Sequence, residues 1–229
     1  MPEKLKSSLI NVIPSKYRKI EVALKAMFES NYSKRWPLWF APFSIQEKRK
    51  LMVNAVEYDN PIADYVSRYQ LNDSLSSFLF CDCKVWLPDN LLDRGDRMTG
   101  DGGWYWGSVP FLDHDLVEYA FSLPDRYKIR GKMRKWVIKQ IAMKYLPDHI
   151  VNRPKAGFVM PLAQWFSGKM KDYCYDTICS SNLLPEAVIS KRYCTTLLDD
   201  HCSGRKDYYL QIWTLLGLAL WFKNCIRKQ

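Results

Sequence analysis

The sequence contains no apolar run long enough to cross a membrane. Its longest such run covers residues 215–222, far short of the roughly 20 residues that a membrane-spanning helix needs. The first residues also lack a continuous apolar stretch of the length found in secretory signal peptides. We therefore expect a soluble protein with no membrane partner.

Metal-binding spacings of cysteine are missing as well. The 7 cysteines include no CxxC pair and no neighbouring Cys/His ladder, the arrangements that are typical of structural zinc. Cys81 and Cys83 lie too close together for an ordinary zinc pair. Because free thiols are typical of reducing compartments, the composition indicates a cytoplasmic protein without a bound metal.

Glycine is scarce outside one segment. Four of the 10 glycines fall within residues 97–114, "RMTGDGGWYWGSVPFLDH", and glycine-rich loops often bind phosphate through exposed backbone N–H groups. However, GxxxxGK[ST] is absent, Tyr105 stands where GxGxxG would need glycine, and no predicted strand precedes the segment. The residues favour a connection between helices over a phosphate-binding loop.

Positive charge is in excess, with a net charge of +10 and a pI near 9.2. This charge suits either an anionic partner or a solvated basic exterior. A basic cluster could bind phosphates, or could be the exposed face and first turn of a helix predicted over 132–145; it comprises Lys128, Arg130, Lys132, Arg134 and Lys135. Trp136 falls on the apolar side of that helix, so it would not stack with bases. We do not expect a nucleic-acid partner.

Helical periodicity runs along most of the chain and predicts an all-α or nearly all-α fold. Ser44 and Glu47 form a capping-box pattern at the start of one helix. Further helices are predicted over 161–180, 185–201 and 206–227, the last of them apolar nearly all round and therefore central and buried. Only residues 127–131, "YKIRG", suggest a strand.

Isolated candidates for acid–base or phosphate chemistry are few. His114 and His201 lie near no nucleophile motif, so surface or capping roles are favoured for both. Lys155 follows Arg153-Pro154, which should stop a helix, and precedes Gly157. A lysine in such a loop could place a compact cation against developing phosphate charge.

Five segments in order resemble the C-terminal part of the asparagine synthetase family of the glutamine-hydrolysing type. They are "LPDNLLDRGDRM" (87–98), "VPFLDHDLVEYAFSLP" (109–124), "RGKMRKWVIKQIA" (130–142), "RPKAGFVMPLAQWF" (153–166) and "HCSGRKDYYLQIWTLLGLALW" (201–221). The resemblance implies the helical C-terminal half of an adenine-nucleotide α-hydrolase-like (ATP pyrophosphatase) synthetase domain. It divides the chain into N-terminal helices over 1–86 and a continuous synthetase-like region over 87–229.

Such synthetases use ATP and Mg²⁺ to convert a carboxylate such as aspartate to an acyl-adenylate, which ammonia then converts to the amide. By resemblance, Lys155 is the catalytic cation that stabilises the adenylation transition state. The residues that would shape its pocket are Asp96, Arg97, Asp113, Arg153 and Gly157. For Asp96, Arg97 and Asp113, helix capping and internal salt bridges are alternative roles.

The sequence departs from the family pattern in three places. A glutamate that the family has four residues before the proline is replaced by Trp106, or by Tyr105 in the other register. The SGGxDSS pyrophosphate loop is absent, and so is a glutaminase domain with its N-terminal cysteine. We therefore expect ATP and Mg²⁺ not to bind this chain alone, and a complementary chain to supply the ATP loop and the glutaminase. The alternative is a degenerate, non-catalytic helical module that acts in protein–protein interaction.

Overall fold

Short helices account for most of the computed structural model, which describes residues 18–54, 61–71, 74–99, 109–154, 157, 160–180 and 182–226. The α-helices are α1 (Arg18–Phe28), α2 (Tyr32–Arg35), α3 (Ile45–Leu51), α4 (Pro61–Arg68), α5 (Leu75–Cys81), α6 (Asp93–Thr99), α7 (His114–Ser122), α8 (Asp125–Lys128), α9 (Trp136–Ala142), α10 (Asp148–Val151), α11 (Leu162–Ser167), α12 (Lys171–Tyr175), α13 (Lys191–Cys202) and α14 (Tyr209–Trp221). The strands are β1 (Ile129–Arg130) and β2 (Met133–Arg134). The expectation of a nearly all-α fold is confirmed.

Tighter and wider turns supplement the α-helices. Trp36–Trp39 and Pro110–Leu112 are 3₁₀-helical, and Asp82–Leu92, Asp176–Ser180 and Phe222–Ile226 are π-helical. No helix of the described residues has both the length and the apolar character that a membrane span requires.

The chain divides into two compact units. The first unit combines Met1–Asn60 with Val159–Gln229, and the second comprises Pro61–Phe158. The boundary between residues 86 and 87 was drawn from the resemblance to the family and not from compactness, and it stays a prediction.

Helix α14 forms the centre of the first unit. Its buried face contains Gln211, Ile212, Leu215, Leu216 and Ala219. This face packs in one core with Phe166 of α11, Cys174 of α12 and Leu197 of α13. The opposite face exposes Trp213 and Trp221, which are 51% and 49% exposed. The prediction of a buried, central apolar helix is therefore confirmed for one face of α14, whereas its other face is exposed.

Backbone hydrogen bonds join the N-terminal and C-terminal parts of the first unit. Met52 forms an isolated antiparallel bridge with Ile189. On either side of it, Val53 N–H donates to Val188 O at 2.9 Å and Ser190 N–H donates to Leu51 O at 2.7 Å. Residues 185–190 are therefore committed to this bridge, and the helix predicted over 185–201 begins only at Lys191.

Local sequence signals explain several helix boundaries. The capping box at α3 is present, because Ser44 Oγ accepts from Glu47 N–H at 3.2 Å and Glu47 Oε2 accepts from Ser44 N–H at 2.8 Å. The helix predicted over 161–180 is interrupted at Gly168, which follows α11 with φ −123° and ψ −107°. An N-cap and a non-helical glycine thus determine where these elements begin and end.

The second unit has a small buried core. Among the residues of this unit that the structure describes, Ile62, Ser77 and Cys81 are buried. Beside them, Tyr69 and Phe80 contact each other with ring centroids 4.9 Å apart. Large apolar side chains of the same unit are exposed, among them Phe111 at 69%, Tyr119 at 63%, Ile141 at 53% and Tyr145 at 79%.

A β-hairpin replaces part of a predicted helix in the second unit. The helix expected over 132–145 is α9, Trp136–Ala142, and the residues before it pair as Ile129 with Arg134 and Arg130 with Met133. The two-residue loop begins with Gly131 at φ 58°, a conformation that glycine adopts without steric cost. The strand suggested over 127–131 is confirmed for Ile129–Arg130.

Candidate functional site

Asp96 and Arg97 lie on the short helix α6, directly after the π-helix Asp82–Leu92. Arg97 Nε donates to Asp93 Oδ1 at 2.9 Å, an ion pair one helical turn apart with both side chains exposed. This is the internal salt bridge considered for Arg97 as an alternative role. It is compatible with a pocket role because exposed pairs of this kind are weak and exchange readily with other anions.

Asp113 forms the N-cap of α7. Its Oδ1 accepts a hydrogen bond from Leu116 N–H at 3.1 Å, which satisfies one of the free N–H groups at the helix start. Helix capping, the other alternative considered, is therefore observed for this residue. The Asp113 side chain is exposed.

The predicted catalytic loop is described only in part. Arg153 and Gly157 are exposed, and an added Cβ at Gly157 would meet no heavy atom within 4 Å. Lys155 lies outside the described residues, as does the glycine-rich segment 100–108 with the register positions Tyr105 and Trp106. The role of Lys155 therefore stays a prediction.

The predicted site residues that the structure describes do not bond to one another. Within the described residues, no hydrogen bond or ion pair joins any two of the side chains of Asp96, Arg97, Asp113 and Arg153. The pocket predicted from them stays a prediction, and their observed bonds are local to α6 and α7.

Asp82 is a polar group that the sequence analysis did not single out. Its Oδ1 is buried and has no hydrogen-bond partner in the described part of the chain, and burial raises the pKa of its carboxyl group above the ordinary value. The residue begins the π-helix Asp82–Leu92, and π-helical turns frequently occur at functional sites. No sequence motif marks this carboxyl group, because its burial depends on the tertiary fold.

His201 is excluded as a free acid or base by its surroundings. The residue is 6% exposed. Its Nε2 lies 3.0 Å from Ala163 O, and its Nδ1 accepts from Tyr208 N–H at 3.2 Å. These contacts assign the proton to Nε2 and occupy both nitrogens. His201 is thus a structural residue of the core and not a surface residue, whereas His114 is exposed beside Glu118 at 3.5 Å.

The described ranges contain no group of three or more His, Cys, Asp or Glu side chains that could hold a metal ion by themselves. Mg²⁺ that binds together with a nucleotide is usually held by one or two carboxylates and the substrate phosphates, so the expectation that this chain alone does not bind it stays a prediction. The predicted loop contains two cationic residues that could bind the phosphates of ATP, Arg153 and Lys155.

Comparison with known proteins agrees with the family that the five sequence segments indicate. The profile of the family described as asparagine synthase matches residues 6–223. Asparagine synthetase 1 (glutamine-hydrolyzing) of Bacillus subtilis (strain 168) is 28% identical over 174 residues, which are 76% of this chain and 27% of that protein. Asparagine synthetase 3 (glutamine-hydrolyzing) of the same organism is 38% identical over 74 residues, 32% of this chain and 12% of that protein.

A third relative is the putative asparagine synthetase (glutamine-hydrolyzing) of Mycobacterium tuberculosis (strain H37Rv), 29% identical over 150 residues, 65% of this chain and 22% of that protein. The chain thus spans about a quarter of the length of the first and third of these relatives. No solved structure matches the chain significantly. Since the family profile covers residues 6–223 of 229, the chain belongs to the asparagine synthase family.

Proposed function

We propose that this chain is the helical part of an ATP-dependent, AMP-forming amide ligase that converts a carboxylate such as aspartate to its amide in the cytoplasm. The match of the asparagine synthase profile over residues 6–223 is the observation that supports this most directly. All seven cysteines are free, in keeping with a reducing compartment.

In the proposed reaction, ATP is a substrate. A carboxylate oxygen of the acid substrate attacks the α-phosphorus of ATP. The bond between that phosphorus and the oxygen that bridges to the β-phosphate breaks, and pyrophosphate leaves. Ammonia then attacks the acyl carbon of the adenylate and AMP leaves. Charge accumulates on the departing pyrophosphate, and the ammonium group of Lys155, with the guanidinium of Arg153 on the same loop, would stabilise it.

A complementary chain completes the site in this proposal. The second unit buries few side chains among its described residues and exposes Phe111 and Tyr145, which suits a surface that another domain covers. In this proposal, that chain carries the pyrophosphate loop and the carboxylates that hold Mg²⁺ beside the substrate phosphates. Alone, this chain would have no synthetase activity.

The test is to recover the tagged chain from its own cells at low salt, together with any bound protein. Pyrophosphate and AMP are then measured with ATP, Mg²⁺, aspartate and ammonium chloride. We expect both products from the complex and neither from the chain stripped of its partner. A complex without ATP-dependent pyrophosphate release would contradict the ligase function and favour the non-catalytic interaction module.

Lys155→Ala tests the assigned role within the same assay. We expect assembly with the partner to persist and pyrophosphate release to fall at least about a hundredfold, the range seen when one electrostatic stabiliser is removed. Lys169→Ala, at an exposed lysine of the first unit, is the matched control and should retain activity. A loss of more than about 2 kcal/mol in the free energy of unfolding of Lys155→Ala would instead indicate a structural role.

A further inference from the structure

The segment Arg126–Lys135, called the basic hairpin here, concentrates positive charge on one small element. It contains six cationic residues and no carboxylate. Five of them are exposed and Lys128 is half-buried. The antiparallel pairing places Arg134 on the face of Ile129 and Arg130 on the face of Met133, because directly opposed residues share a face. Lys132 lies in the loop, so cations point from both faces and from the tip.

Aromatic rings, and not carboxylates, contact three of these cations. Arg130 lies over the ring of Trp136 at 5.1 Å and Arg126 over the ring of Tyr127 at 5.2 Å. Lys128 Nζ donates to Phe121 O at 3.1 Å. Among the described residues, no carboxylate forms an ion pair with any cation of the basic hairpin. A cation–π contact orients a charge without neutralising it.

The surroundings of the basic hairpin distinguish between anionic partners. An arginine of the same chain lies over each of the rings of Tyr127 and Trp136, and the two rings contact each other with centroids 5.9 Å apart. Less ring surface is therefore left for stacking with bases. Exposed apolar side chains lie on the hairpin and on the following helix α9, with Ile129 at 40%, Ile138 at 45% and Ile141 at 53%. The phosphate backbone of a nucleic acid offers no apolar groups to pack against these isoleucines, whereas a protein segment can offer apolar side chains.

We propose that the basic hairpin is a docking surface for an acidic, partly apolar protein segment. The basic hairpin of a second copy does not fit this occupant, because two surfaces with six cationic residues each repel one another at short range. The identification of the acidic segment with the complementary chain rests on the function proposed above, whereas the docking chemistry rests on the hairpin itself.

The experiment measures binding of two fluorescent probes of equal negative charge by anisotropy at low salt. One probe is a peptide of glutamate and leucine, and the other is a thymidine oligonucleotide. Lys132→Glu/Arg134→Glu reverses two exposed charges outside the ring contacts, and Lys132→Gln/Arg134→Gln only removes them. Lys169→Glu/Lys171→Glu changes net charge equally at exposed positions of the first unit. Circular dichroism checks that each variant is folded.

We expect the peptide to bind the wild-type chain more tightly than the oligonucleotide does. The charge reversal should weaken peptide binding at least about tenfold, the neutral pair should weaken it less, and the control pair less than about twofold. Equal losses in the hairpin and control variants would overturn the proposal, because net charge alone would explain them. Tighter oligonucleotide binding that depends on the hairpin would also overturn it and point to nucleic acid. The assay contains no ATP, so its failure leaves the ligase proposal intact.

Discussion

His201 shows how one side chain can connect three elements of the first unit. Its ring lies on α13, accepts from the N–H that precedes α14, and bonds a carbonyl oxygen of α11 through Nε2. Both backbone partners need a polar neighbour in the core, since an unsatisfied buried group costs more than a hydrogen bond contributes. The segment "HCSGRKDYY" therefore has a structural reason for its histidine.

Replacing His201 with alanine should destabilise the first unit. We expect a loss of about 1 to 3 kcal/mol in the free energy of unfolding, because Tyr208 N–H would lose its acceptor and Ala163 O would keep only its bond from Ser167 Oγ beside those of its own helix. Urea unfolding followed by circular dichroism measures the loss. His114→Ala, at an exposed histidine, is the control and should change the free energy by less than about 0.5 kcal/mol. Equal effects of the two substitutions would contradict this role for His201.

The candidate site could be predicted from the sequence only as separate residues. The motif order identified Asp96, Arg97, Asp113 and Arg153, and the structure adds the ion pair of Arg97 and the capping bond of Asp113. Both of these bonds are local, within one turn of helix, and both were foreseen as alternatives. The burial of Asp82 could not be foreseen, because a carboxylate in an amphipathic segment gives no sign of which neighbours will cover it.

At the scale of elements, local signals predicted helices better than they predicted their ends. The apolar period of α14 and the capping box of α3 are each contained within one segment, and both are confirmed. Residues 185–190 and residues 132–135 of the basic hairpin were misassigned to helices. In the first case the competing interaction is a bridge to Met52, more than a hundred residues away, and in the second it is the conformation of Gly131.

Helices α12 and α13 each place a buried thiol in the core, Cys174 and Cys194. These thiols make the free energy of unfolding of the first unit depend on pH. Burial is the main cause that raises the pKa of Cys174 from 9.0 to about 11 and that of Cys194 from 9.0 to about 12. A thiol whose folded pKa is raised contributes full stability below its unfolded pKa. That stability is lost as pH rises above 9, because the unfolded chain releases the proton first.

Between pH 9 and 10 we expect the free energy of unfolding to fall by about 1 kcal/mol for each of the two thiols. Burial also raises the pKa values of Tyr175, Tyr193 and Tyr208. Because tyrosines in the unfolded chain begin to titrate near pH 10, each adds a smaller fall of about 0.4 kcal/mol by pH 10, which the cysteine variants keep. Urea unfolding at several pH values measures the slope. Cys174→Val/Cys194→Val should flatten it, whereas Cys225→Val, at an exposed cysteine, should leave it as in the wild type. An unchanged slope in the double variant would contradict the assignment to these thiols.

At the scale of the molecule, the two units differ in how much apolar surface they bury. The first has a continuous core from Phe43 to Ala219, whereas the second leaves large side chains of α7, α9 and the turns beside them exposed. Exposed apolar patches of this kind are typical of surfaces that another protein covers. The sequence resemblance anticipated this, since the helical half of a synthetase domain normally packs against a nucleotide-binding half.

The isolated chain should therefore bind the dye ANS and associate in solution. Phe111→Lys and Tyr145→Lys, at side chains 69% and 79% exposed, should reduce both properties, because they replace apolar surface that no core packing requires. Light scattering coupled to size exclusion measures association, and dye fluorescence measures the exposed surface. Lys144→Met, beside Tyr145, is a converse control and should increase dye binding. A chain that is monomeric and silent toward ANS would contradict an uncovered apolar surface, and with it the need for a partner on the second unit.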